Sequence, residues 1–335
     1  MKHTETEQRA IRAGAIPRTM RAAALTRFGG PKMLATREVP VPQLGAGEVL
    51  IALDTAGVGG WDASFRDGSS KSETGRMPLI LGTDGAGTVV AVGSRVRRLK
   101  PGDQVYAYSY DNPKGGFYAQ YVAVAAAKVA PVPAGLDLLH AGATATIALT
   151  ALQGVDDALG IERGETLIVH GASGNVGMLA VQFAKRRGAQ VLATASGPDG
   201  AAFVRRFAPD AVIDGKRDDV VKAARALAPR GVDAVLAFVG GSALTRSLDA
   251  LRKGGRVAHP NGIEPAPKKR RGLKLIAYDG EPGVREFEHL AKAIEQAKLQ
   301  IPIAEIFELE EAARAHERLE KGHVFGKIVL RIRAA

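Results

Sequence analysis

The sequence predicts an α/β protein in which a doubly wound parallel sheet stands beside a β-rich region. Three observations carry that reading. From Met20 to about Ala130 the chain is rich in Gly, Pro and Val, and its apolar runs are short and alternating. From about Ala145 to Tyr278 continuous apolar strands alternate with helical segments, the pattern of βαβ units whose strands are covered on both faces. At the start of that second stretch an apolar strand runs directly into a glycine-rich turn and an amphipathic helix.

Taken in order, Met1 to Thr19 has little apolar content and is expected to be a disordered leader, with the folded region beginning at Met20. Strands are expected over Glu48–Leu53, Gly87–Val92 and Gln104–Tyr108, separated by turns such as Pro101-Gly102-Asp103, so this part reads as all-β. The second part places strands at Thr166–His170, Gln190–Ala195, Ala211–Ile213, Ala234–Val239, Arg256–His259 and Leu273–Tyr278, with a helix running to Arg187 after the first. Beyond Glu281 come helical segments at Arg285–Lys298 and Leu309–Lys321, then a last strand, Lys327–Ile332.

Composition narrows the function. At 335 residues the chain has room for about two domains. It has no cysteine, which excludes disulfides, thiolate nucleophiles and thiolate metal sites, and its seven histidines show no ligand-like spacing. No apolar run is long enough to span a membrane and no apolar signal segment opens the chain, so a soluble, cytoplasmic protein without a membrane partner is expected. The formal charge of +11 is dispersed among acids, and the one dense run, Lys268-Lys269-Arg270-Arg271, is short and free of aromatic residues. That reads as a basic, anion-attracting surface, and no nucleic-acid partner is expected.

The strongest chemical signal is the run from Leu167 to Gly177. Gly171 and Gly174 are expected to adopt backbone angles open to glycine and to let the main chain approach a pyrophosphate. Gly177 lets the following helix pack closely, and the helix N-terminus then faces the anion. The run is therefore a Rossmann dinucleotide-binding turn. The second strand ends in Ala195-Ser196-Gly197, where an NAD site usually has a carboxylate for the ribose. Ser196 can donate to a 2′-phosphate, and Lys216 and Arg217 add positive charge, so NADPH is the expected cofactor.

At this point the chain resembles the zinc-free quinone oxidoreductase (ζ-crystallin-like) branch of the medium-chain dehydrogenase/reductase superfamily. The likeness covers nearly everything after the leader: Phe28-Gly-Gly-Pro31, Arg37 to Pro42, Leu81-Gly-Thr-Asp84-Gly-Ala-Gly87, Lys100-Pro-Gly-Asp103, Gly115 to Val122, His170 to Gly177 with Gln182 and Lys185, Val239-Gly-Gly241, Lys253 to Arg256, and Gly326-Lys-Ile-Val-Leu330. Asn175 stands where glycine is usual.

The resemblance implies a Rossmann domain (148–280) inserted in a β-rich, GroES-like catalytic domain (20–147 plus 281–335), with the active site in the cleft between them. It implies a homodimer joined through the strand Leu273–Tyr278. It also implies cofactor contacts from Thr150, Ser173, Gly174, Asn175, Val176, Ser196, Phe238, Val239, Gly240 and Tyr278. Zinc-dependent relatives carry a cysteine ligand where this chain has Gly59 and a histidine ligand where it has Thr83; neither residue is a usual zinc ligand, and no metal is expected. The branch usually has Asn-Pro-x-Asp and a following tyrosine, and here the Asn position is Gly59 and the Tyr position Ser64. Its usual lysine and tyrosine for the 2′-phosphate fall at Gly200 and Gly215.

The expected reaction is hydride transfer from NADPH to a quinone or an α,β-unsaturated carbonyl, with orientation and a dry pocket as the protein's share. No residue stands out as a dedicated acid. The pocket candidates are Trp61, Ser64 and Tyr110, with Arg66 read as a structural ion-pair partner and Ser64 as a loop serine. Asp62 and Asp84 are expected to hold backbone turns, His170 to be buried with a hydrogen bond, and His259 and Asn261 to border the nicotinamide side. An enoyl-thioester reductase and a non-catalytic NADPH-binding or redox-sensing protein are the other two readings of the same residues.

Overall fold

The computed structural model describes residues 16–70 and 77–333. Of the expected leader, residues 1–15 lie outside the described residues. Arg18 already accepts a hydrogen bond from the Val41 amide, and the first strand takes in Thr19, one residue before the expected start.

The first region contributes β1 (Thr19–Leu25), β2 (Ala35–Pro40), β3 (Glu48–Val58), β4 (Leu79–Ile80), β5 (Asp84–Val92), β6 (Gln104–Tyr108), β7 (Tyr121–Ala125) and β8 (Val129–Pro131). The second contributes β9 (Thr166–His170), β10 (Gln190–Ala195), β11 (Ala211–Asp214), β12 (Val232–Ala237), β13 (Leu251–Pro260) and β14 (Lys274–Tyr278), and the chain closes with β15 (Ile303–Glu308) and β16 (Lys327–Arg331).

β9 to β14 form one parallel sheet in the order β11-β10-β9-β12-β13-β14. Its central strands carry continuous apolar runs, Leu167 to Val169 and Ala234 to Ala237, buried on both faces, which is why they read as runs rather than alternations. The chain leaves β9 on one side to build β10 and β11, and returns to the other side as β12. The C-terminal ends of β9 and β12 therefore meet at the switch point where such sheets bind ligands.

The larger sheet of the first region runs β15-β16-β3-β5-β6-β8, with β7 also against β3. β3 is long enough for two partners along one edge: Glu48 to Ala52 pairs with β7, and Thr55 to Val58 pairs antiparallel with β16. The chain's last strand thus completes a sheet begun some 270 positions earlier, and β1, β2 and β4 make a separate small sheet.

Two expectations need correction. The first region is not all-β, because Gly60–Asp67 is an α-helix. Its signal is local: the Asp62 carboxylate accepts from the Gly59 amide at 2.8 Å, which closes the first turn, and Gly68, at φ +83°, ends the helix. Trp61 and Ser64 are therefore helical residues, not loop residues. The strand expected at Ala234–Val239 is shifted to Val232–Ala237, so Phe238 and Val239 lie just past its C-terminal end, where the Phe238 amide bonds the His170 carbonyl at 3.0 Å.

Candidate active site

The glycine-rich turn is built on backbone contacts. Gly171 has φ +86°, and its amide bonds the Thr194 hydroxyl at 3.1 Å on the neighbouring strand. A Cβ on Gly177 would stand 2.3 Å from the Gly171 carbonyl oxygen and 2.7 Å from the Ala172 Cα, so only glycine lets the helix Asn175–Arg187 start this close. Gly174 is different from the expectation: its φ of −81° is open to any residue, and its lack of a side chain leaves the helix N-terminus uncapped.

Just inside that N-terminus the Asn175 side-chain oxygen is buried without a partner. An uncapped N-terminus and a turn with no side chains in the way fit a bound dinucleotide phosphate. Ser173 faces the second strand end, where its hydroxyl accepts from the Ser196 amide at 3.3 Å, and Ser196 does not cap the helix it precedes.

Two glycines stand where the resemblance places 2′-phosphate ligands. A Cβ on Gly200 would touch Ser173 and Phe325, and one on Gly215 would touch Thr194. Lys216 is exposed, and Arg217 Nε lies 3.9 Å from Asp214. A cation the sequence pattern did not flag is Arg246, which reaches across to donate to the Gly215 carbonyl at 3.2 Å.

The positions that carry metal ligands in zinc-dependent relatives hold a tryptophan. The Trp61 indole lies on Gly59, where a Cβ would be 2.3 Å from Cε2, and its Nε1 donates to Thr83 Oγ1 at 2.7 Å. Lys327 Nζ lies 5.0 Å over the ring centre. This lysine is 0% exposed and its ammonium has no hydrogen-bond partner, so the ring face and nearby carboxylates compensate its charge. Among the described residues no three His, Cys, Asp or Glu side chains stand close enough to share a metal ion.

Beneath the indole runs a buried polar chain with a fixed direction. Arg66 Nη1 can only donate, so His316 Nδ1 accepts at 2.9 Å and the proton sits on Nε2, which faces the Tyr118 hydroxyl at 3.3 Å. Tyr118 donates to Asp62 Oδ2 at 3.0 Å. Burial and the Arg66 charge push His316 down to about 3, which keeps it neutral. Burial raises Asp62 to about 7, against the opposing pull of the Gly59 amide and the Lys327 charge. Arg66 itself pairs with Glu320 at 2.5 Å, as its ion-pair reading expects. Asp84 accepts from the Thr146 amide at 3.1 Å, so both aspartates hold backbone as expected.

The functional candidates meet around one cavity of about 850 Å³. Trp61, Ser64 and Tyr110 line it from the first region, and Thr150, Val176 and Phe238 from the nucleotide side. The turn Gly171 to Gly177 abuts it through Phe238 and Val239, whose side chains flank the Gly171 Cα.

Three further residues expected at the cofactor have these surroundings. Tyr278 gives its hydroxyl to the Thr150 carbonyl at 2.9 Å, Gly240 is pressed against the Pro265 carbonyl, and Val239 is half exposed. Asn261 borders the cavity, whereas His259 is buried against the Pro260 carbonyl. His170 is buried between the Thr194 and Ser247 hydroxyls, and burial lowers it to about 4.

Sequence reasoning missed Tyr108, Lys128 and the acidic stretch Asp279 to Glu281, all of which line the cavity. Burial and the neighbouring carboxylates, Asp84 first, hold the Tyr108 hydroxyl well above its usual range, and burial raises Tyr110. Both remain protonated donors. Tyr108 ends a strand whose alternation was legible, but only the pairing of β5 with β6 shows where that end points.

Known proteins match this architecture. The family described as alcohol dehydrogenase GroES-like domain matches residues 45–134, and the one described as zinc-binding dehydrogenase matches residues 208–330. The quinone oxidoreductase of Lama guanicoe is 31% identical over 333 residues, covering 93% of this chain and 98% of its own. The chain belongs to the zinc-free quinone oxidoreductase branch of the medium-chain dehydrogenase/reductase superfamily.

Solved structures agree on the oxidoreductase fold. One described as an NAD-dependent alcohol dehydrogenase superposes with a TM-score of 0.84 at 32% identity, covering 94% of this chain and 100% of its own. A mycobacterial protein complexed with NADPH superposes with a TM-score of 0.82 at 29% identity, covering 93% and 100%. The oxidoreductase therefore combines a GroES-like region and a Rossmann-like parallel sheet, and its relatives use both forms of the pyridine nucleotide.

Proposed function

We propose that this oxidoreductase transfers a hydride from NADPH to a quinone or an α,β-unsaturated carbonyl, without a metal. The observation that carries the reading is the cavity of about 850 Å³, lined jointly by residues of the nucleotide turn region and by Trp61, Ser64, Tyr108 and Tyr110. The hydride is what the cofactor supplies when bound. The chain's own share is orientation and charge. The Ser173 hydroxyl and the free backbone amides from Asn175 onward, at the uncapped N-terminus of the helix Asn175–Arg187, would hold the phosphates, and Val176, Phe238 and Thr150 would border the nicotinamide.

Tyr108 and Tyr110 keep their protons through the working pH range. Either can donate a hydrogen bond to the oxygen on which negative charge develops. The carboxylates Asp111, Asp279 and Glu281 outnumber the Lys128 ammonium in the lining, which favours a neutral acceptor over an anionic acyl carrier.

NADPH is preferred to NADH in this reading through Ser196, Arg246 and Lys216. The domain limits proposed are 20–147 with 281–335, and 148–280. A homodimer through the free edge of β14, and a cytoplasmic location, complete the proposal.

Cofactor oxidation followed by absorbance, with a panel of quinones and enones, with NADPH against NADH and with a chelator, tests it. Turnover that favours NADPH and ignores the chelator is expected. NADPH binding without turnover of any acceptor would overturn it.

A further inference from the structure

Trp61 is the chain's only tryptophan, and three restraints fix it. The inner side of the indole rests on Gly59, where a Cβ would fall 2.3 Å from Cε2 and 2.4 Å from Cζ2. Its one polar atom is committed to Thr83 at 2.7 Å, and the Lys327 ammonium stands 5.0 Å over the ring. What remains of the side chain borders the cavity. A side chain with its donor already used and its position held by Gly59, Thr83 and Lys327 offers the cavity a rigid aromatic surface without a free hydrogen-bond donor.

The same arrangement explains one departure from the branch's usual pattern, Gly59 in place of asparagine, and gives Thr83 a role. Any residue larger than glycine at 59 would displace the indole, and a residue at 83 without a short hydroxyl would leave Nε1 buried and unpaired. Gly59 and Thr83 are thus read together as the seat of Trp61.

We propose that Trp61 is the specificity-determining residue of the cleft, a preset shelf on which a flat, conjugated, neutral acceptor stacks. This rests on the reading of the site as a quinone or enone reductase and narrows it toward ring acceptors. A planar ring gains contact over its whole face on such a shelf, and the shelf loses no rotamer freedom on binding because Gly59, Thr83 and Lys327 already hold it. A flexible acyl chain gains less contact and pays more ordering entropy.

The sole tryptophan also supplies a readout that does not depend on turnover. Duroquinone is the probe: its ring is fully substituted, and the chain has no cysteine to form a thiol adduct. Titrating it into the wild-type protein should quench tryptophan emission saturably, with the emission lifetime unchanged, as a ground-state stack requires. Trp61→Leu should raise KM for duroquinone about tenfold, leave KM for an open-chain enone within about twofold, and leave NADPH affinity unchanged.

Thr83→Val keeps the ring and removes only its anchor, so it guards against a Trp61→Leu variant that fails to fold. It should lower the emission anisotropy of Trp61 and raise KM for duroquinone about threefold with kcat less affected. Duroquinone turnover without saturable quenching, or a Trp61→Leu variant whose KM rises equally for ring and open-chain acceptors, overturns the shelf while leaving the reductase reading intact. Saturable quenching without turnover overturns the reductase reading and leaves the shelf standing.

Discussion

The two regions bury polar groups in different ways. In the parallel sheet the buried polar side chains around the site are neutral: His170 lies between the hydroxyls of Thr194 and Ser247, and the tight contacts are made by backbone against glycine. In the β-rich region a lysine, an arginine, two aspartates and a histidine are buried, with Arg66, His316 and Asp62 joined in one chain through Tyr118. Of the two, the glycine contact of the parallel sheet joins residues only six apart, Gly171 and Gly177. The second joins Arg66 to His316 across 250 positions. One is a local motif that tolerates almost no change of volume, and the other is a charge balance that tolerates almost no change of sign.

The largest effect that would sharpen this contrast is expected at Lys327. Lys327→Met keeps much of the volume and removes the charge that stabilises the ionised Asp62 carboxylate. Urea unfolding should show a loss of about 3–5 kcal/mol, and adding Asp62→Asn should restore part of it, because the two changes are coupled. Additive losses would break the idea of a charge balance.

Gly177→Ala comes next. Its methyl meets the Gly171 carbonyl, which is backbone and cannot step aside, so a loss of about 1–3 kcal/mol is expected, together with loss of dinucleotide affinity in a fluorescence titration. Gly59→Ala is its counterpart in the other region. There the methyl meets the Trp61 side chain, which can move, so a smaller loss of stability and a shift in tryptophan emission are expected.

The smallest effect is the pH dependence. Asp62 has its carboxyl raised from 3.8 to about 7 in the fold, so its contribution is most favourable below 3.8 and is lost as pH rises through 7. His316 and His170 act oppositely. They are lowered from 6.5 to about 3 and about 4, and their contribution is full above 6.5 and lost as pH falls. Asp62→Asn removes the first trend alone, so its pH of maximum stability should lie above that of the wild type in a series of urea midpoints. An unchanged maximum would show that Asp62 titrates normally.

How much of this the sequence discloses follows from the same contrast. Strands β6, β9 and β10 and the end of the helix at Arg187 were legible to the residue, because apolar period and glycine placement are local signals. The turn Gly171 to Gly177 was legible as a binding motif for the same reason, although the ordinary φ of Gly174 was not. The helix Gly60–Asp67 was hidden because its signal is one side-chain-to-backbone hydrogen bond in a glycine-rich stretch. β15 was missed because its apolar residues, Ile303, Ala304, Ile306 and Phe307, fall in pairs and not in strict alternation, and it is a short stretch between two helices.

At the site, Trp61, Ser64 and Tyr110 could be picked out by residue type. Lys327 could not, since a lysine opening a last strand normally reads as solvated. Only the pairing of Ile328 with Val58 places that lysine beneath the indole.

That pairing also bears on the order in which the molecule can be made. Asp62 and Asp84 leave the ribosome early, but Lys327 emerges only after the whole parallel sheet has been synthesised. The parallel sheet is contiguous in the chain and can settle as soon as β14 is complete, whereas the older part of the chain must wait with two carboxylates uncompensated and one edge of β3 half covered. The nascent protein is therefore expected to pass through a state in which its central parallel sheet is complete while the sheet of its first region still lacks β15 and β16.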